Sequence, residues 1–254
     1  MPRPLPLASP PAPVLAPVLA CLLALLLAAC TTGLPGGRRE TVDPPRRTPL
    51  VYALGDSYTV GVQGGATRAT AFPAEAARRL GWRLVAAGHA GTGFVGTGRI
   101  GKPFATLFQE QLAWRDAPDL VIVSGGHNDV WYRPARVERS ARSLLDTVRR
   151  RWPGVPLVLV GPLWGGDPGR KALAVRDLLG RVAAAAGATF LDPLAERWIT
   201  GDRRKGTGNA PAYIRSDGTH PNAAGNAYLA GRFAADLRAA PALRRLVAAG
   251  DARG

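Results

Sequence analysis

Five short apolar runs, separated by segments of helical character, constrain the fold of this chain more than any other feature. Each run is bounded by Gly, Pro or Asp, as buried parallel strands tend to be. Strands that alternate with helices predict an α/β fold: a three-layer α/β/α sandwich around a roughly five-stranded parallel sheet. The predicted strands are LVYAL (50–54), WRLVAA (82–87), DLVIVS (119–124), VPLVLV (155–160) and ATFLD (188–192). The predicted helices are 72–80, 134–151, 168–187 and 221–238.

The N-terminal segment from Val14 to Ala29 is almost wholly apolar. At about 16 residues it is short for a membrane span, which needs about 20, and it fits the core of a signal peptide. The run ends in LAAC, 27–30, which resembles the lipobox of bacterial lipoproteins. The resemblance implies a signal peptide over 1–29, export, and anchoring to the bacterial cell envelope through a lipidated Cys30. The alternative is an ordinary signal peptide in which Cys30 is incidental.

The segment between Cys30 and the first strand is rich in Gly, Pro and charged residues. This composition predicts a tether over 30–48, joined to a folded domain over 49–250. The other cysteine, Cys21, lies inside the apolar run and is removed with it, so no disulfide is expected in the mature chain.

The formal net charge of +15 favours anionic surfaces, such as phospholipid headgroups or acidic wall polymers. The arginines are spread along the chain, and no basic module with interleaved aromatic residues is present. The sequence therefore gives no reason to expect nucleic acid as a partner. We expect a monomer.

Residues with catalytic chemistry follow the first and third strands, where parallel sheets bind their ligands. Ser57, in GDSYTVG (55–61), lies at a strand-to-helix turn whose free N–H groups favour a negative oxygen. Asn128, in GGHND (125–129), offers a neutral amide donor for an oxyanion, and Asp129 is expected to fix the loop. Alternatively, Ser57 only caps a helix, and Asn128 only bonds its own turn.

The third block is DGTHP, 217–221. Pro221 holds His220 out of helical geometry, so that the imidazole projects from a loop. Asp217 is close enough to accept a ring N–H and to set the tautomer. Taken alone, this pair is weak evidence and is more typical of an ordinary loop.

Together, GDS after the first strand, GxND after the third and DGxHP before the last helix resemble the SGNH or GDSL hydrolases over about 48–240. The resemblance implies a flavodoxin-like sheet, Ser57 as nucleophile, and a triad completed by His220 and Asp217. It also implies an oxyanion hole formed by the N–H groups of Ser57 and Gly91 and the side chain of Asn128. Gly88 and Gly93 remain alternatives to Gly91, because Ala86 stands where the family often has an Asn.

Cofactor sites are not indicated. The stretch 91–96 fits GxGxxG, but it follows the second strand, opens no clear helix and lacks the expected acidic residue downstream. No two histidines or cysteines have the spacing of metal ligands, so neither a cofactor nor a metal is expected.

The expected function is that of an esterase or O-deacetylase acting on cell-envelope glycans. The alternatives are a lipase or lysophospholipase acting on acyl lipids, and a catalytically idle binding lipoprotein. The long Gly-rich segment 92–108 is expected to be a lid or specificity loop. The predicted substrate-binding residues are Trp131, Trp164, Trp198 and Phe94.

Overall fold

The computed structural model describes residues 47–251. It contains one sheet of five parallel strands in the order β2-β1-β3-β4-β5, which is the flavodoxin-like arrangement. The predicted fold class is therefore confirmed. The strands are β1 (Leu50–Gly55), β2 (Arg83–Gly88), β3 (Leu120–Ser124), β4 (Leu157–Val160) and β5 (Thr189–Leu191).

Eight α-helices flank the sheet in the described part of the chain. Four of them lie where the sequence pattern predicts helices, within two residues at each end. The helices are α1 (Ser57–Val60), α2 (Phe72–Arg79), α3 (Phe104–Gln111), α4 (Pro134–Arg151), α5 (Arg170–Ala185), α6 (Ala210–Tyr213), α7 (Ala223–Ala239) and α8 (Arg244–Asp251).

Two apolar cores form because side chains alternate between the faces of a strand. On β1, Tyr52 and Leu54 pack into the core beneath α3, α4 and α5. Val51 and Ala53 pack into the opposite core, beneath α2 and α7. Both faces of the sheet are thus buried, which explains why the strands read as continuous apolar runs rather than as alternating patterns.

The expected loop over 92–108 is wrong at its C-terminal end, where α3 begins at Phe104. Phe104, Leu107 and Phe108 have helical spacing and are buried against the sheet. The glycines that precede this helix made the whole segment look irregular. Its three apolar side chains therefore belong to the core and do not form a lid.

The predicted signal peptide (1–29), Cys30 and nearly all of the tether lie outside the described residues. Within 47–251, no helix is both long and apolar enough to cross a membrane.

The strand order places the functional edge of the sheet between β1 and β3, where the direction of chain winding reverses. At that edge, Gly55 of β1 is in register with Gly88 of β2 and Ser124 of β3. In open α/β sheets this reversal leaves a crevice beyond the carboxyl ends of the strands. Segments following β1, β2 and β3 therefore share one site.

Candidate active site

Ser57 lies at the start of α1, immediately beyond the end of β1. The turn needs a glycine at position 55, since a Cβ there would lie 2.1 Å from Thr59 Oγ1 and 2.8 Å from the Ser124 carbonyl oxygen. Asp56 caps the helix by accepting a hydrogen bond from the Tyr58 N–H at 3.0 Å. The Ser57 N–H has no hydrogen-bond partner among residues 47–251. Neither the hydroxyl nor the amide of Ser57 is therefore used in hydrogen bonds within the turn.

The structure brings His220 and Asp217 to Ser57. His220 Nε2 lies 3.0 Å from Ser57 Oγ, and Nδ1 lies 3.0 Å from Asp217 Oδ2. The other carboxylate oxygen of Asp217 accepts hydrogen bonds from the Thr219 and His220 N–H groups, both at 2.9 Å. Asp217 thus fixes both the backbone that carries the imidazole and the orientation of the ring.

Contacts across the site hold the His220 loop in place. The buried Tyr58 hydroxyl donates to the Thr219 carbonyl at 2.6 Å, which ties the loop to α1. The Arg215 N–H donates to the His220 carbonyl at 2.8 Å and closes the turn. Gly218 adopts a φ of 72° within this turn, a left-handed conformation that favours glycine.

The charge state of Asp217 follows from the same contacts. Partial burial opposes its ionisation, but the N–H groups of Thr219 and His220 and the His220 ring together lower the pKa of Asp217 to about 2. The carboxylate is therefore ionised at neutral pH and accepts the Nδ1 hydrogen of His220. This leaves the Nε2 lone pair of a neutral ring directed at Ser57 Oγ.

The three candidate glycines differ in how their amides are used. The Gly88 N–H donates to Gln111 Oε1 at 2.9 Å, and the Gly93 N–H donates to the Gly96 carbonyl at 2.7 Å. Gly91 lines the cavity at Ser57, and its N–H has no hydrogen-bond partner in the described part of the chain. The structure therefore places a free amide at Gly91 and not at the alternatives.

Asn128 lies on the wall of the same cavity. Its side-chain amide donates to the Thr92 carbonyl at 2.9 Å and lies 3.4 Å from Asp56 Oδ2. The first contact uses one of the two amide hydrogens. The second contact is long and weak, so the other hydrogen remains usable by a group in the cavity.

Two buried carboxyl groups support this wall. Asp129 is fully buried and accepts hydrogen bonds from the Phe94, Val95 and Gly96 N–H groups at 2.8–3.0 Å. Asp129 therefore holds the 94–96 loop, which follows Gly91, against the turn that contains Asp129 itself. This agrees with its predicted structural role. Burial raises the pKa of Asp129 although these three N–H groups lower it. Burial also raises the pKa of Asp56, to about 7.

The cavity at Ser57 has a volume of about 370 Å³. Most of the residues that line it are polar or glycine, although much of the exposed wall surface is apolar, and Val62 and Ala90 supply the aliphatic side chains. The lining residues are Ser57, Val62, His89, Ala90, Gly91, Gly98, Arg99, His127, Asn128, Thr219 and His220. A larger cleft of about 600 Å³ opens beside Pro221 and Asn222, but neither Ser57 nor His220 lines it.

The GDSL-like Lipase/Acylhydrolase family matches residues 53–228, which is more than half of the chain. The chain belongs to this family. It is accordingly a carboxylic ester hydrolase. A GDSL lipase of Mycobacterium tuberculosis is 36% identical over 192 residues, covering 72% of this chain and 79% of that protein.

Solved structures of similar fold include two named carbohydrate esterases. A carbohydrate acetylesterase from Sinorhizobium meliloti has a TM-score of 0.55 and 19% identity, covering 76% of this chain and 99% of that chain. An acetylxylan esterase from Geobacillus stearothermophilus has a TM-score of 0.56 and 20% identity, covering 76% and 95%. At this identity the likeness establishes the fold of the acylhydrolase.

The predicted substrate-binding residues do not gather at the cavity of this acylhydrolase. Trp198 and Phe94 are buried, which contradicts their predicted role: Trp198 donates to Glu196 Oε2, and Phe94 packs against Phe104.

Trp131 is exposed beneath the Lys171 ammonium and is not part of the cavity wall. Trp164 lines a neighbouring cavity of about 280 Å³ shared with Asp217. Strand-end position alone did not distinguish aromatic residues of the core from those of the rim.

Sequence reasoning missed His89 and His127, which both line the cavity. A signal was present, since the chain has only three histidines, and His89 directly follows β2 while His127 lies three residues after the end of β3. The other serine at this edge of the sheet, Ser124 at the end of β3, is buried and does not line the cavity. Within 47–251, no group of three or more His, Cys, Asp or Glu side chains is arranged to hold a metal ion.

Proposed function

We propose that this acylhydrolase removes short acyl groups from hydroxyl groups of cell-envelope glycans, with Ser57 as nucleophile. The observation that carries the proposal is the chain of contacts from Ser57 Oγ through His220 to Asp217, at 3.0 Å each, at the edge of a small cavity. A nucleophile, its base and the group that orients the base are the parts that acyl transfer through a serine requires.

His220 is the general base in this proposal. Its Nε2 takes the Ser57 proton as Oγ attacks the ester carbonyl, and Asp217 stabilises the imidazolium that results. The same proton is then donated to the departing alcohol oxygen. Water hydrolyses the acyl-serine with His220 again acting as base, which restores the free enzyme.

The oxyanion is held by the Ser57 N–H, the Gly91 N–H and the amide of Asn128. All three border one cavity, and the two backbone amides have no competing partner within the described residues. Their directions are set before substrate binds, because α1 fixes Ser57 and the 94–96 loop, held by Asp129, follows Gly91. Preorganised donors of this kind stabilise the charge that develops in the transition state.

The preference for a glycan ester rests on the walls of the cavity. A polar alcohol suits the hydrogen-bonding groups of the wall, which come from imidazoles, glycines, Thr219 and Arg99. The volume of about 370 Å³, with two small aliphatic side chains, offers little room for a long acyl chain. Similar folds are found in proteins named carbohydrate esterases. The net charge of +15 favours acidic envelope polymers.

The second candidate is hydrolysis of acyl lipids, which is favoured by the 36% identity to a protein named a GDSL lipase. A series of 4-nitrophenyl esters from acetyl to dodecanoyl distinguishes the two. The glycan proposal expects kcat/KM to fall beyond short acyl chains. A rise through about eight carbons would support the lipase instead, because each buried CH₂ contributes about 0.8 kcal/mol only where an apolar channel receives it.

A fluorophosphonate probe tests whether the site is active rather than idle. We expect covalent labelling of the native chain at Ser57 and none in Ser57→Ala. Ser124→Ala is the matched control and should label normally. An unlabelled native chain would favour the idle binding lipoprotein.

We also propose that the protein is exported and anchored to the bacterial cell envelope through Cys30. The apolar run from Val14 to Ala29 followed directly by Cys30 supports this, and residues 30–48 would hold the domain away from the membrane. Mass spectrometry of the mature N-terminus should find an acylated Cys30, and Cys30→Ala should abolish the modification. An unmodified N-terminus beyond residue 30 would refute the anchor but not the export.

A further inference from the structure

All three histidines of this chain line the cavity at Ser57. The proposed mechanism uses only His220. His89 and His127 are both partly buried and have no role in that mechanism. His127 follows the end of β3 and immediately precedes Asn128, the proposed oxyanion donor, and both residues line the cavity.

The tautomer of His127 is set by its surroundings. Its Nδ1 lies 3.0 Å from the Leu163 carbonyl oxygen. A carbonyl oxygen only accepts, so the neutral ring carries its hydrogen on Nδ1 and a lone pair on Nε2. Nε2 has no hydrogen-bond partner among the residues that the structure describes. The ring therefore has one unused acceptor.

The ring is also held in position. Its centroid lies 4.5 Å from the Trp164 ring and 5.5 Å from the Tyr58 ring. His89 differs, because its Nδ1 contacts only the carbonyl of the adjacent Ala90, at 2.9 Å, and no aromatic ring within 47–251 packs against it. Of the two unexplained histidines, His127 has the fixed geometry that recognition of a substrate group requires.

The charge state of His127 matches an acceptor role. Burial lowers the pKa of the ring; the Leu163 carbonyl partly opposes this effect, and the nearby His220 adds to it. A neutral ring with its hydrogen on Nδ1 does not donate from Nε2, so it gives no stabilisation to an oxyanion. It accepts a hydrogen bond from an O–H group.

We propose that His127 Nε2 accepts a hydrogen bond from a hydroxyl on the alcohol part of the substrate, next to the ester oxygen, and so selects polyhydroxylated alcohols such as sugars. Simple acyl groups have no donor to offer, which assigns the contact to the alcohol. The inference rests on the proposed glycan esterase function and names a residue that recognises its substrate.

Two substrates that differ by one hydroxyl test the inference in the full chain. One is a methyl xyloside acetylated at a single hydroxyl with its neighbour free, and the other is the deoxy analogue that lacks this neighbour. We expect the native protein to favour the first by about 3- to 10-fold in kcat/KM, the effect of one neutral hydrogen bond. In His127→Phe, which keeps an aromatic ring against Trp164, the preference should fall to about 1.

His89→Phe is the matched control and should retain the preference, whatever its effect on either rate. The ratio of two rate constants does not depend on the fraction of folded enzyme, so partial misfolding of a variant does not obscure the result. A native protein without the preference, an equal loss on both substrates in His127→Phe, or the same loss of preference in His89→Phe would overturn the inference. Hydrolysis of 4-nitrophenyl acetate but of neither xyloside would instead refute the glycan function itself.

Discussion

Replacing Asp217 by Asn should change the tautomer of His220 while largely preserving the loop that carries it. An Asn side chain can keep its oxygen on the Thr219 and His220 N–H groups, which accounts for two of the three contacts of Asp217. Its NH₂ group then faces His220 Nδ1, which must become an acceptor. The ring hydrogen moves to Nε2, where it blocks transfer of the Ser57 proton. We expect kcat to fall by roughly 10³- to 10⁴-fold.

The cost in stability should be much smaller. The pKa of Asp217 lies at about 2 instead of its ordinary 3.8, which corresponds to about 2.4 kcal/mol at about 1.36 kcal/mol per pH unit. The Asp217 side chain is 40% exposed, so solvent screening reduces this figure, and we expect a loss of about 1 kcal/mol. Because the folded-state pKa is lowered, this contribution is present above about pH 4 and is lost as the pH falls toward 2.

The assay combines ester hydrolysis with thermal unfolding at pH 7. Asp217→Asn should lose almost all activity while its Tm falls by about 2–4 °C. Asp167→Asn is the matched control: Asp167 borders the same small cavity as Asp217, but the hydrogen bond to His220 Nδ1 comes from Asp217, so the kcat of this variant should stay close to that of the native protein. Activity of Asp217→Asn within tenfold of native, or an equal loss in Asp167→Asn, would refute the orientation argument.

Three further predictions concern Ser57, Asn128 and Asp236. Ser57→Ala should lower kcat by roughly 10³-fold or more, whereas Ser124→Ala should keep near-native turnover; the reverse would assign the nucleophile to Ser124. Asn128→Ala should lower kcat by about 10²- to 10³-fold with little change in KM, and an effect confined to KM would make Asn128 a substrate-binding residue. Burial and the neighbouring Glu196 raise the pKa of Asp236, so native stability should decline as the pH rises from 5 to 8. The free energy of unfolding of Asp236→Asn should not show this decline. If it changes with pH in parallel with that of the native protein across this range, the prediction is wrong.

The amino-acid sequence by itself determined the layers of the fold and which polar residues follow the strands at the edge of the sheet. Apolar runs of strand length between helical segments allow few packings other than a doubly covered parallel sheet. The residues after β1 and β3 must then meet at the carboxyl edge of the sheet, whatever the side-chain details are. The positions of Ser57 and Asn128 at this edge were predictable for this reason, whereas the joining of His220 and Asp217 to Ser57 was predicted only from the resemblance to the SGNH hydrolases.

The tertiary structure alone decided how individual groups are used. Ser57 and His220 are 163 positions apart in the sequence, and their 3.0 Å contact depends on the Tyr58 hydroxyl reaching the Thr219 carbonyl. The choice of Gly91 over Gly88 rests on Gln111, whose side chain uses the Gly88 amide. Such partners lie far away in the chain, so no local pattern reveals which amide stays free.

The same limit explains the aromatic residues and the histidines. A tryptophan after a strand has the same local pattern whether it packs inward, as Trp198 does, or lies exposed, as Trp131 does. The Nε2 atom of His127 is free to accept only because the Leu163 carbonyl, which follows another strand, accepts a hydrogen bond from Nδ1–H. Burial, tautomer and free hydrogen-bonding capacity are properties of the surroundings of a side chain, and only the folded chain brings those surroundings together.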